Sequence, residues 1–133
     1  MNLVEIGRNN FNSWHRHDAD AIVGAYAEGG VYINPDVPDG LTGAAIGDFA
    51  KAFFPDLSLD LISIGDMGGE LTALQWVAHG TNTGAFPDGT PATGRKVTFA
   101  GASFVQYEGT KIRRDQAYFD RLGLQKQLGF IKD

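Results

Sequence analysis

The chain has 133 residues, the length of one domain and large enough for a proper core without staples. Apolar residues make up 43% and charged residues 20%, the balance of an ordinary globular protein. The absence of cysteine excludes a disulfide framework and any thiolate metal site, and the net charge of −5 speaks against a phosphate backbone as partner. No apolar run approaches the roughly 18–20 residues that span a bilayer, and the start MNLVEIGRNN is not a basic stretch followed by an apolar one. No membrane association and a cytoplasmic location are the expectations.

In chain order, Leu3, Ile6, Asn10, Phe11 and Trp14 recur at helical spacing and predict a first helix over Leu3 to Trp14. His15-Arg16-His17 reads as a polar, solvated joint. Asp18 has the chemistry of an N-cap for a second helix with the stripe Ile22, Val23 and Tyr26, ending before Gly29-Gly30. Val31 to Ile33 is a short strand, followed by a stiff loop over Asp36 to Leu41. Thr42 is expected to cap a third helix, Gly43 to Phe54, with Ile46, Phe49, Ala50 and Phe53 facing inward and Pro55 ending it. A strand over Leu57 to Ile64 then turns at Asp66-Met67-Gly68-Gly69.

The strand Glu70 to Thr81 alternates: Leu71, Ala73, Gln75, Val77 and His79 on one face, Thr72, Leu74, Trp76 and Ala78 on the other. A Gly, Pro, Asn, Asp and Thr-rich connection leads to a strand over Lys96 to Tyr107. A short turn, Tyr107 to Thr110, leads to a last strand over Lys111 to Phe119. Asp120 caps a short helix, Arg121 to Leu128, closed by Gly129. Helices first and a long meander after predict a single α+β domain over residues 1–133, with the helices laid on one face of a curved antiparallel sheet. Such a sheet and its cover form a cone whose open end is a natural pocket.

The runs Trp76 with His79–Gly84, Pro91–Arg95, Gly109–Ile112, Asp120–Leu124 and Gln127–Gly129 resemble the SnoaL-like polyketide (ester) cyclase family of the NTF2-like superfamily. Asp18 to Ala21 and Val31 to Pro35 agree more loosely, so the resemblance covers nearly the whole chain. It implies an NTF2-like cone, a homodimer, and intramolecular aldol chemistry with no metal or cofactor. In the characterised cyclases an aspartate on the last strand is the acid/base and a histidine on the preceding strand assists. In register, the aspartate position is Ala117 here and the histidine position is Ser103. Many relatives show I-x-E-H-W where this chain has Ile112-Arg113-Arg114-Asp115-Gln116, and the usual Thr-His of the G-T-H-T-G run is Thr81-Asn82.

The residues suggest a replacement. Asp115 shares a strand face with Ala117, and a carboxylate in an apolar pocket has a raised pKa suited to taking a proton from carbon beside a carbonyl. The competing reading pairs Asp115 with Arg113 or Arg114 at the surface. His79, near a strand end, is a candidate proton shuttle or hydrogen-bond donor, or else a histidine on the outer, dimer-facing surface. Trp14, Tyr32, Phe49, Phe53, Trp76, Phe99 and Tyr118 are candidate walls for a flat or cyclic apolar ligand. Asn34, Ser103 and Ala117 are candidate contacts. His15-x-His17 alone is too little for a metal site, and the glycine-rich run before Gly94 lacks the lysine and helix of a phosphate loop. Three functions stay open: a cofactor-free acid/base enzyme on a small cyclic or polyketide-like carbonyl compound, a non-catalytic small-molecule-binding module, and an epoxide hydrolase.

Overall fold

A computed structural model describes residues 2–52, 55–85 and 89–131 of the chain. Helix α1, Leu3–His15, starts at Asn2, whose side-chain oxygen accepts from the amide of Glu5 at 2.9 Å. Its Ile6 is buried, and Leu3, Phe11 and Trp14 pack against the same core, as the helical spacing requires. The joint after it is not simply solvated. His15 Nδ1 accepts from the amide of Leu59 at 2.9 Å, and His17 Nε2 meets the Leu57 carbonyl at 2.7 Å. The two histidines therefore tie the end of α1 to strand β3, Ser58–Gly68.

Helix α2, Ala19–Gly24, is capped by Asp18, which accepts from the amide of Ala21 at 3.1 Å. It is shorter than the apolar stripe predicts: Tyr26 does not extend it but opens strand β1, Tyr26–Asn34. The expected loop after Asn34 is strand β2, Val37–Thr42, paired antiparallel with β1. Asn34 Oδ1 turns the corner by accepting from the amides of Asp36 and Val37 at 2.7 and 3.1 Å. β2 lies at the sheet edge with Pro38 and Asp39 exposed, where a missing donor is tolerated. Thr42 ends this strand and caps nothing. Helix α3, Ala44–Lys51, begins instead at Gly43, whose φ of 58° suits glycine, with no side-chain cap. Phe53 and Phe54, expected on this helix, lie outside the described residues.

Strands β4 (Leu71–Thr81), β5 (Lys96–Glu108) and β6 (Lys111–Phe119) form the predicted meander after β3, and α4, Arg121–Leu128, closes the chain. Asp120 caps α4 through the amide of Gly123 at 2.8 Å, and Gly129 ends it with φ 87°. The six strands run in the order β2-β1-β6-β5-β4-β3. Neighbours are antiparallel except β1 and β6, which are parallel, with Tyr32 opposite Asp115. The helices cover the inner face of this curved, open sheet, giving an NTF2-like α+β cone.

The main core joins Ile6, Ile22, Ile46, Leu74, Trp76, Val105, Tyr107 and Ile112, and a smaller cluster of Val97, Leu124 and Leu128 seats α4. Each fully buried aliphatic chain contributes roughly 1.5–3 kcal/mol. β4 alternates as the sequence requires, with Thr72, Leu74, Trp76, Ala78 and Gly80 all buried on the inner side. Trp76 lies flat over Gly101 of β5, its partner in register. A side chain at 101 would collide with the indole and come within 2.7 Å of the Tyr118 carbonyl.

Candidate active site

Between the inner sheet face and the helices lies a cavity of about 140 Å³. Two aromatic groups wall it. Trp14, Tyr32 and Phe49 contact in series, with ring centroids 5.0 and 5.7 Å apart. Opposite, Phe99 stands edge-on to Trp76 at 5.9 Å and touches Phe119 at 5.3 Å. Leu57, Leu59, Leu74, Val105 and Ile112 complete an apolar lining. At the mouth, Arg121 Nε donates to Asp36 Oδ1 at 2.8 Å, linking the β1–β2 turn to α4.

Asp115 is set into this wall. On β6, Asp115 and Ala117 point inward and Arg114 and Tyr118 are exposed, as alternation requires, while a register irregularity at Arg113 takes that residue out of the inward series and leaves it exposed too. The surface pairing of Asp115 with an arginine is therefore excluded. Arg114 instead donates to Gln116 Oε1 at 2.9 Å. Asp115 is 8% exposed. Its Oδ2 accepts a hydrogen bond from the Tyr26 hydroxyl at 3.0 Å, and its Oδ1 has no partner. Burial pushes its pKa up to about 6, although the Tyr26 hydrogen bond works the other way. Burial, together with the Asp115 charge, holds Tyr26 and Tyr32 well above the usual phenol range, so both keep their protons.

The other expected site residues divide. Trp14, Tyr32, Asn34, Trp76, Phe99, Ser103 and Ala117 all line the cavity. Several are already engaged: Ser103 Oγ accepts from Trp76 Nε1 at 3.0 Å, and Asn34 Nδ2 donates to the Tyr32 hydroxyl at 3.0 Å. Phe53 lies outside the described residues. His79 does not reach the cavity, because its strand alternation turns it to the outer face. There its ring nitrogens meet Asp60 Oδ2 and Thr98 Oγ1, each at 3.1 Å.

The residues missed by sequence are Tyr26, Asn10 and Tyr107. Tyr26 fits a helical stripe equally well. Tyr107 had a usable signal, since the inward series Val97, Phe99, Gly101, Ser103 and Val105 continues to it. Among the described residues, no three His, Asp or Glu side chains converge as metal ligands would. Among the described residues, the one buried carboxylate of the lining is Asp115, with one oxygen fixed by a phenol, in a mostly apolar chamber whose mouth carries the half-buried Asp36.

The sequence profile of SnoaL-like polyketide cyclases matches residues 6–128. The chain belongs to this family. The fold recurs in AclR from Streptomyces galilaeus, a candidate hydroxylase, at 20% identity and TM-score 0.78, covering 97% of this chain and 85% of that one. It recurs in IdmH from Streptomyces antibioticus, a candidate polyketide cyclase, at 21% identity and TM-score 0.74, covering 97% and 99%. A protein of ketosteroid isomerase-like fold from Catenulispora acidiphila, in complex with trimethylamine, matches at 18% identity and TM-score 0.78, covering 96% and 95%. No curated protein matches the sequence significantly.

The positions to which the resemblance assigns the acid/base and its helper, Ala117 and Ser103, face each other across β5 and β6. Asp115 lies one inward position earlier on β6, opposite Val105. Asn82 is fully buried and serves the backbone. Its Oδ1 accepts from the Thr93 amide and hydroxyl at 2.7 and 2.9 Å, and its Nδ2 donates to the Gly84 carbonyl at 3.1 Å. That residue pins the loop between β4 and β5.

Proposed function

We propose that this SnoaL-like protein is an enzyme that does acid/base chemistry without a cofactor on a small cyclic or polyketide-like carbonyl compound. The observation that carries the reading is Asp115: a buried carboxylate with pKa about 6, one oxygen held by Tyr26 and the other without a partner. A base poised near neutral pH is suited to removing a proton from carbon beside a carbonyl, and such a group typically contributes roughly 10²–10⁴-fold. The C–H bond breaks, the proton passes to Asp115 Oδ1, and the electron pair is held as an enolate. Return of the proton to a different carbon is isomerisation. Attack of the enolate carbon on a second carbonyl, with the proton delivered to the new alkoxide, is aldol cyclisation. In either case Asp115 is regenerated and nothing is oxidised or reduced.

Asp115→Asn keeps the shape and the Tyr26 contact but cannot accept the proton. Turnover of cyclic ketones and β-diketones should fall at least about a hundredfold in this variant. Unchanged turnover would exclude Asp115 as the base. The binding-module reading is favoured by one observation, the Ala117 and Ser103 pair, and it predicts ligand binding with no Asp115-dependent turnover. Epoxide hydrolysis fits less well, since the partner of Asp115 is a phenol rather than an arginine.

The same reading includes a homodimer formed through the outer sheet face. Ile62, Phe104 and Tyr118 are 57%, 40% and 55% exposed there, and the rings of Phe104 and Tyr118 stand edge to face at 6.0 Å. An exposed apolar patch on an open sheet is the kind of surface a second copy covers.

A further inference from the structure

At the end of the cavity beneath α1, two lining residues carry buried polar atoms with no hydrogen-bond partner: the Tyr107 hydroxyl and Asn10 Nδ2. Tyr107 is 1% exposed. Thr72 and Asn10 lie near enough to lower its pKa through weak hydrogen bonding, against the larger effect of burial, but neither contact reaches full hydrogen-bond geometry, and Thr72 Oγ1 has no well-formed partner either. Native interiors pair nearly all such atoms, so an unmatched cluster on a cavity wall points to something that occupies the cavity. Room for the phenol is made by Gly7 of α1. A side chain there would come within 3.3 Å of the Tyr107 hydroxyl and 2.7 Å of Ile64 Cδ1.

The chemistry of this end is specific. Asn10 Nδ2 only donates, and the Tyr107 phenol keeps its proton because burial raises its pKa and the Asp115 charge adds to the effect. Among the described residues, no lysine or arginine lines the cavity, and Arg121 at its mouth is paired with Asp36, so an anionic ligand would meet the Asp115 charge with little compensation. A neutral acceptor oxygen fits. Tyr107 is the next inward residue of β5 after Val105, which faces Asp115, and this sets the donors diagonally across from the carboxylate. A cavity of about 140 Å³ is close to the ~150 Å³ that holds one benzene ring.

We propose that Tyr107 and Asn10 form the carbonyl-binding end of the cavity, donating jointly to the oxygen of a single-ring ketone. The chemistry that follows rests on the acid/base reading of Asp115, because polarising the carbonyl acidifies the neighbouring carbon that Asp115 would deprotonate.

The probe is cyclohexanone carrying ¹³C at the carbonyl, followed by NMR with the full chain in D₂O. Bound to the native protein, its carbonyl resonance should move downfield. Tyr107→Phe and, independently, Asn10→Leu should each reduce that movement and weaken binding about tenfold, the weight of one hydrogen bond. Thermal melts identify a variant that fails to fold, and Asn10, being half-buried on a helix, is the safer of the two. An unchanged carbonyl shift in the folded variants, or no binding by the native protein at millimolar ketone, overturns the proposal. The Asp115 reading is scored separately by exchange of the ring α-protons with deuterium. Exchange lost in Asp115→Asn with the carbonyl shift retained supports both. A Tyr107-dependent shift with no Asp115-dependent exchange leaves the carbonyl site standing and removes the base.

Discussion

A carboxylate kept out of water makes Asp115 both useful and costly. In the unfolded chain it releases its proton near the usual 3.8, and in the folded protein only near 6. Below about pH 3.8 both states are protonated and the residue costs nothing. As pH rises through 6 the penalty grows to completion, at about 3 kcal/mol for a shift of this size. Asp115→Asn should therefore raise stability at pH 7 by up to that amount, and the gain should vanish below pH 4 in denaturant titrations at both pH values. Activity has the opposite need, appearing only as Asp115 ionises, so its acid limb should fall near pH 6. Tyr26→Phe removes the hydrogen bond that lowers the carboxyl pKa. The acid limb of the pH–rate profile should then move upward, with a stability loss of roughly 1–3 kcal/mol. Strand alternation placed Asp115 on the face of Ala117, and only the family resemblance made that face the inner one, with surface pairing to Arg113 or Arg114 left open. Its phenol partner was not legible, because Tyr26 lies 89 residues away in sequence and only the pairing of distant strands brings the two together.

At the scale of elements, the meander and the helix caps at Asp18 and Asp120 were readable because turns, caps and alternation are local. The failures sit where sheet pairing overrides local preference. β1 begins at Tyr26, five residues earlier than the apolar run at Val31, because the strand is drawn against β6. The stretch Val37–Thr42, with its proline and Asp-Gly, becomes a strand because an edge position requires few of its donors. Thr42 was a plausible cap until the strand claimed it. Among elements, the contact of Trp76 with Gly101 ties the cavity wall to its frame. Gly101→Ala should cost about 2–3 kcal/mol through overpacking against the indole and the Tyr118 carbonyl. The same change should move the tryptophan fluorescence, as the ring is driven from its place over β5. An unaltered melting temperature and spectrum would show that the strands can yield.

Across the whole molecule the sheet has two unlike faces, one wrapped around the cavity and one open. If the open face is the contact between two copies, Tyr118→Lys should convert a dimer to a folded monomer in sedimentation velocity. A native protein that already sediments as a monomer would refute the contact. The parallel partnership of β1 with β6 has a different consequence, one of timing. A chain made from its N-terminus completes Tyr26 long before the ribosome delivers Asp115, and one side of β1 has no strand to bond until then. Until β6 arrives, β1 and β2 have no strand to join them to the β3-β4-β5 part of the sheet. Nascent-chain arrest short of Lys111 should leave a protease-sensitive polypeptide, and release past Phe119 a resistant one. The Asp115–Tyr26 pair is thus a late product of synthesis, assembled in the same step that seals the fold.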